Sequence, residues 1–271
     1  EVVEHGIFGY SEALSDYYVA VREYFQKKYN YDFEERELIK TPGVVFAIAV
    51  AVRSLTNEGD AVMIQRPVYY PFSATIEHNG RKVVDSTLTY DEKENRYVID
   101  FKDFEQKIVD NDVRLFLLCN PHNPVSRVWS KEELLKLGDI CLKHNVLVVS
   151  DEIHADFTFL GKHHVFASLR PEFEDITVTC TSPSKTFNLA GLQLANIIIK
   201  NPTVRRAFVH EYRVSGYSEL NVMGYVSTVA AYRNGGEWYD AMHEYIRKNA
   251  EYVKEFVDAN LPKIRMINHE A

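Results

Sequence analysis

Residues 146–154 read Val-Leu-Val-Val-Ser-Asp-Glu-Ile-His. The first four are all apolar, so this strand offers no polar face to water. A strand apolar at every position is buried on both sides, as in a parallel sheet covered by helices on each face. Leu115-Phe-Leu-Leu118 and Ile197-Ile-Ile199 repeat the pattern. Outward from them, strand-like runs at 61–65, 81–86, 114–118, 146–150, 175–180 and 195–199 alternate with helical patterns near 43–56, 70–79, 101–110 and 131–144. That alternation predicts a doubly wound α/β fold. After Lys200 the pattern turns wholly helical, over 202–215, 218–233 and 236–260, with breaks at Ser215-Gly216 and Asn234-Gly235-Gly236. No repeat, low-complexity tract or linker divides the chain.

Composition narrows the function classes. The 271 residues are 46% apolar and 26% charged, a globular balance with ample core. The net charge of −8 with no basic block argues against nucleic acid or an anionic membrane as partner. The longest apolar run, Val44 to Val52, is far short of a membrane span, and no secretory pattern opens the chain. Cys119, Cys141 and Cys180 form no disulfide framework or CxxC pair, which points to buried thiols in a reducing cytoplasm. The chain starts at Glu1 without Met and stops just after an apolar patch, and it reads as a fragment of a longer protein.

In open parallel sheets ligands collect at the carboxyl ends of the strands. Strand 146–150 ends in Asp151-Glu152-Ile153-His154. A carboxylate there can pair with a cationic ring nitrogen or a metal, or simply cap a turn, and no ligand spacing elsewhere supports a metal. Strand 175–180 runs into Thr181-Ser-Pro-Ser-Lys185-Thr-Phe-Asn188. A lysine held in a site can lose its proton and form a Schiff base, whereas a solvated loop lysine needs no such setting. Strand 114–118 leads to Asn120-Pro-His-Asn123-Pro, an extended loop able to aim an amide at a ligand. Thr41-Pro-Gly43 opens helix 43–56, whose free N–H groups suit a phosphate. Tyr69 and Tyr70 follow strand 61–65; one could stack on a flat ring, and one is expected in the core. A reactive lysine, a carboxylate, an amide, an aromatic platform and an anion-binding helix start together suit a phosphorylated, cationic, aromatic aldehyde. That description is pyridoxal 5'-phosphate (PLP).

At these residues the chain resembles the fold-type I PLP-dependent enzymes of the class I/II aminotransferase superfamily, and within them the MalY/PatB-like cystathionine β-lyase (C–S lyase) subgroup. Five segments occur in the family's order: His5-Gly-Ile-Phe-Gly-Tyr10, Thr41-Pro-Gly-Val-Val45, Asn120-Pro-His-Asn-Pro124, Asp151-Glu-Ile-His154 and Ser184-Lys-Thr-Phe-Asn188. The resemblance implies a mostly parallel seven-stranded sheet between helices. It implies a PLP-binding large domain over 1–235 and a long helix over 236–271 leading to a C-terminal small domain that this chain lacks. It assigns Lys185 as the Schiff-base lysine and catalytic residue, and Asp151 as the partner of the pyridine nitrogen. Asn123, rather than Asn120, is assigned to the ring hydroxyl, with His154 close by. Tyr69, rather than Tyr70, is assigned to ring stacking. The Val44 and Val45 amides with Ser182 would hold the phosphate, Ser184 would assist, and Tyr10 would reach the phosphate of the neighbouring subunit in a homodimer.

Two departures from the ordinary aminotransferase pattern select the subgroup. Gln193 stands eight residues after Lys185, where those enzymes carry a phosphate-binding Arg, and His154 replaces a Tyr near the ring hydroxyl. Asn123-Pro-Val-Ser also differs from the usual Asn-Pro-Thr-Gly or Asn-Pro-Gly-Gly. The expected activity is β-elimination from L-cystathionine or related cysteine conjugates, giving thiol, pyruvate and ammonia. An aminotransferase on the same cofactor is the first alternative, and a regulatory binding protein on the same fold is the second.

Overall fold

The computed structural model describes residues 1–217 and 219–271. Its seven-stranded sheet runs in the order β1 (Leu38–Thr41), β9 (Ala195–Ile198), β8 (Thr177–Thr181), β7 (Leu147–Asp151), β6 (Val113–Cys119), β2 (Ala61–Ile64) and β3 (Lys82–Asp85). Only β9 runs against the others, pairing antiparallel with β1 and β8. Strands β4 (Thr89–Asp91) and β5 (Arg96–Val98) form a separate antiparallel ribbon.

Burial explains the apolar strands. In β6, Leu115 and Leu117 pack into the layer that holds α3 (Val44–Leu55) and α9 (Pro202–Val214). Phe116 and Leu118 point the other way, into the layer of α5 (Phe101–Asn111) and α6 (Lys131–Lys143). Val149 and Val148 of β7 divide between the same two layers. Both faces are therefore dry, and alternation is lost because each inward side is a core. A third cluster joins α2 (Ser15–Tyr29) and α10 (Val222–Asn234) over the β1–β9 edge, with Tyr17, Val21, Phe25 and Tyr225 at its centre.

Several expected bounds move. The run at 175–180 divides into the end of α7 (Pro171–Ile176) and β8, because Pro171 starts a helical turn that finishes at Ile176. The helix expected from 218 begins at Val222, capped by Asn221, whose Oδ1 accepts from the Gly224 amide at 2.8 Å; Ser218 itself lies outside the described residues. The last helix, α11, spans Gly236–Asn260. Beyond it the chain folds back: Glu270 accepts from the Phe159 and Leu160 amides and donates to Ser126 O.

One glycine fixes how α6 meets α7. A Cβ at Gly138 would stand 2.1 Å from Cζ of Phe173, a fully buried ring stacked on Phe166. Gly138→Ala is therefore expected to destabilise by about 1–3 kcal/mol, although alanine favours a helix by about 1 kcal/mol. Urea unfolding measures this, and adding Phe173→Leu should recover part of the loss.

Candidate active site

Because β1, β2, β6, β7 and β8 run in parallel, their carboxyl ends share one edge of the sheet, and each ends in a segment singled out above. Asp151 is central. Its neighbours in register are Cys119 on β6 and Cys180 on β8. It is 6% exposed, and its carboxylate accepts one hydrogen bond among the described residues, a 3.2 Å bond from the Ile153 amide. Burial pushes its pKa up to about 7, helped by the nearby Glu152 charge; the Ile153 bond and the Lys185 ammonium pull the other way. A carboxyl buried with so few donors would be stabilised as an anion by a cationic partner.

Lys185 lies in α8 (Pro183–Thr186), a single helical turn opened by Ser182. Its side chain is exposed and makes no hydrogen bond or ion pair among the described residues. Its charge nonetheless reaches Asp151 and His154. Burial, with Lys185 adding to it, drives the His154 pKa down to about 4, so that imidazole is neutral at pH 7. Lys185, Asp151 and His154 thus form one electrostatic group.

The loops on either side of β6 meet through backbone. The Tyr69 amide donates to Asn123 O at 3.0 Å, and His122 Nε2 lies 3.0 Å from Pro67 O. A carbonyl only accepts, so His122 carries its proton on Nε2. Tyr69 is 38% exposed and Tyr70 78% exposed. The expectation that one of the pair is core is corrected: α4 (Pro71–His78) starts at Pro71, and its buried aromatic is Phe72. Asn120 is fully buried with its amide donating to His164 O, so of the two loop asparagines Asn123 is the more open to a ligand. His154 and Asn123 also line a cavity of about 530 Å³, together with Arg265, Met266 and His269.

Helix α3 begins at Val44 behind Gly43, with no side-chain cap, which leaves the Val44 and Val45 amides for an anion. Ser182, expected to hold the phosphate, caps the turn that carries Lys185. Its hydroxyl donates to Leu194 O at 2.6 Å and accepts from the Ser184 amide at 3.0 Å, so its one proton is already engaged in holding the turn. Ser184 is half-buried beside it. Tyr10 is fully exposed. Glu152, the possible second carboxylate, is structural: it is fully buried and bonded to Ser150, His163 and the Phe166 amide. No group of acidic, His or Cys residues that could hold a metal occurs among the described residues.

Sequence reasoning missed Asp156. It is buried, its carboxylate paired with Lys28 Nζ at 2.5 Å and accepting from Tyr24 at 2.8 Å, Thr186 at 2.6 Å and Tyr29. Its partners on α2 lie more than 120 positions away, a juxtaposition that spacing alone does not reveal.

The donor set fits PLP: an under-satisfied buried carboxyl for a ring nitrogen, an unpaired lysine, an amide, an accessible aromatic and a bare helix start. The comparisons agree. The family model for aminotransferases of class I and II matches residues 6–271. Cystathionine beta-lyase PatB of Bacillus subtilis is 44% identical over the whole of this chain and 70% of its own length. Protein MalY of Escherichia coli is 30% identical, over 96% of this chain and 66% of its own. Among solved structures, cystalysin from Treponema denticola, which contains a pyridoxal 5'-phosphate cofactor, superposes with a TM-score of 0.93 at 38% identity, over 97% of this chain and 66% of that one. The chain thus spans about two thirds of the length of these relatives.

Proposed function

The chain belongs to the family of class I and II aminotransferases, and from that premise we propose that it is the cofactor-binding part of a PLP-dependent C–S β-lyase acting on L-cystathionine or related cysteine S-conjugates. The observation that carries the cofactor is the buried, under-bonded Asp151 within reach of the Lys185 charge. The β-lyase reading rests on the relatives and on Gln193, which is exposed at a left-handed position where a phosphate-binding Arg would mark an aminotransferase.

When bound, PLP supplies an electron sink for charge developing at the substrate's Cα. The residues do the rest. Lys185 Nζ would hold the cofactor and, as a free amine, would take the Cα proton as general base. Asp151 keeps the ring nitrogen protonated, since an opposite charge beside a cation raises its pKa. Asn123 and the neutral His154 would hold the ring hydroxyl, Tyr69 would cover the ring, and the α3 amides would hold the phosphate. Ser184 supports the turn that presents Lys185. We take residues 1–235 as the cofactor-binding domain and 236–271 as its connection toward the remainder of the protein, and we place the protein in a reducing cytoplasm because its three cysteines are unpaired and buried. The deciding assay is pyruvate release from L-cystathionine without an added keto acid. Pyruvate at turnover rates supports the lyase, and product only when a keto acid is supplied would favour an aminotransferase.

The reading includes a homodimer with a shared site. Val3, Ile7, Phe8, Tyr10 and Leu14 are all more than half exposed, an apolar stretch that a second copy would cover. Tyr10→Phe should weaken PLP about ten- to hundredfold, the loss of one hydrogen bond to a charged group, about 1.5–3 kcal/mol. In mixed dimers of Tyr10→Phe with Lys185→Ala subunits, the one working lysine should keep near-normal PLP affinity, because its tyrosine comes from the partner. A persisting defect there would mean that Tyr10 serves its own subunit.

A further inference from the structure

The segment 151–157 carries both Asp151 and His154, and its next acidic residue, Asp156, reaches across to the turn that carries Lys185. Thr186, adjacent to Lys185, is 1% exposed and donates from Oγ1 to Asp156 Oδ2 at 2.6 Å. No other side-chain bond joins the two segments among the described residues. Behind Asp156 stand Lys28 at 2.5 Å, Tyr24 at 2.8 Å and Tyr29, all on α2, and Tyr239 of α11 donates to Asp156 O at 2.6 Å. Lys28 in turn lies 3.8 Å from the centroid of the Tyr239 ring. On the other side of the turn Phe187 is wedged against the α10–α11 junction, where a Cβ at Gly235 would come within 2.4 Å of its ring. Thr186 and Phe187 are thus gripped while Lys185 between Ser184 and Thr186 is left free.

Resting on the reading of Lys185 and Asp151 given above, we propose that Asp156 and Thr186 are positioning residues that set the separation between the Lys185 amine and the Asp151 carboxyl. The carboxylate is fixed by α2 through three donors, so it acts as an anchor rather than a group that follows Thr186. Removing the threonine hydroxyl loosens the turn at its carboxyl end, next to Lys185, but leaves Asp156 with its ammonium and both phenols. The reacting lysine then loses its set position, and misplacement on the scale of 1 Å costs about 10²-fold in rate.

The test uses the full-length, cofactor-loaded protein. Thr186→Val is nearly isosteric and removes the donor, and Thr186→Ser restores it. The expected result for Thr186→Val is a kcat lower by about 10–100-fold with KM within about threefold. The pH at which the absorption band of the lysine-bound cofactor changes should also move, because the charges around Lys185 have shifted relative to it. Thr186→Ser should return both to wild type. A role confined to stability would lower the melting temperature and leave the spectroscopic midpoint and the kcat of folded protein unchanged, and that result overturns the proposal. Should Thr186→Val not fold, Thr186→Ala replaces it with the same two outcomes. Borohydride labelling of Lys185 in the wild type keeps the two readings apart. A wild type labelled elsewhere removes the cofactor site and this proposal with it, whereas correct labelling with an unmoved Thr186→Val removes only the proposal.

Discussion

Lys185→Ala in the full-length protein is expected to abolish steady β-elimination, by at least about 10³-fold, while leaving unfolding within about 0.5 kcal/mol of wild type. The contrast follows from its surroundings. The side chain is exposed and bonds to nothing else described, so folding does not depend on it. The turn beneath is held by Ser182, Thr186 and Phe187 instead. Chemically it is, among the described residues, the one amine whose charge reaches both Asp151 and His154. Lys28, the other lysine close by in the fold, is tied to Asp156 and stacked over Tyr239. Borohydride reduction followed by peptide mapping should therefore place the cofactor on the peptide containing Lys185, and label on Lys28 or any other lysine would sink the assignment. A variant that loses activity together with most of its stability would show instead that Lys185 is part of the scaffold.

How much of this was legible before folding depends on where each signal is stored. The central strands announce themselves because burial on both faces removes every polar residue from Leu115–Leu118 and Val146–Val149. Strand β1 is missed because Leu-Ile-Lys-Thr is four residues long at a sheet edge, where Lys40 tolerates partial exposure. Helix α2 is missed because its buried stripe is only Tyr17, Ala20, Val21 and Phe25, flanked by the half-buried Tyr18, Tyr24 and Tyr29 and by charged residues; Tyr17 is buried yet its hydroxyl reaches Asn196 Oδ1. The site follows the same division. Asp151, Asn123, Tyr69 and Lys185 are legible in the sequence as candidates because each follows a readable strand and parallel strands deliver their ends to one edge. Ser182 is read as a ligand because its place is right, but its hydroxyl closes the loop onto Leu194. Asp156 leaves no local trace, since what makes it notable is Lys28, Tyr24 and Tyr29 arriving from α2.

Asp151→Asn is expected to have opposite effects on the cofactor-free protein and on catalysis. In the loaded enzyme an amide cannot hold a proton on the ring nitrogen by charge, so turnover should fall at least about a hundredfold, mainly in removal of the Cα proton. Without cofactor the sign reverses. Burial raises the folded-state pKa of Asp151 to about 7, against about 3.9 in the unfolded chain. Between those values the folded state binds the extra proton, so the stability owed to this group is full below pH 4 and is lost as pH rises toward 7. Above pH 7 the buried charge costs up to about 4 kcal/mol, a burden the asparagine does not carry. The cofactor-free variant should therefore unfold at higher urea than wild type at pH 8, and the two should converge near pH 4. Adding PLP should stabilise wild type far more than the variant, because only the carboxylate gains a cation to pair with. Equal urea midpoints at pH 8 would mean that Asp151 is well solvated or otherwise paired in the free protein. Near-normal turnover in the variant would reduce Asp151 to a cap for the Ile153 turn and take the ring-nitrogen role away from it.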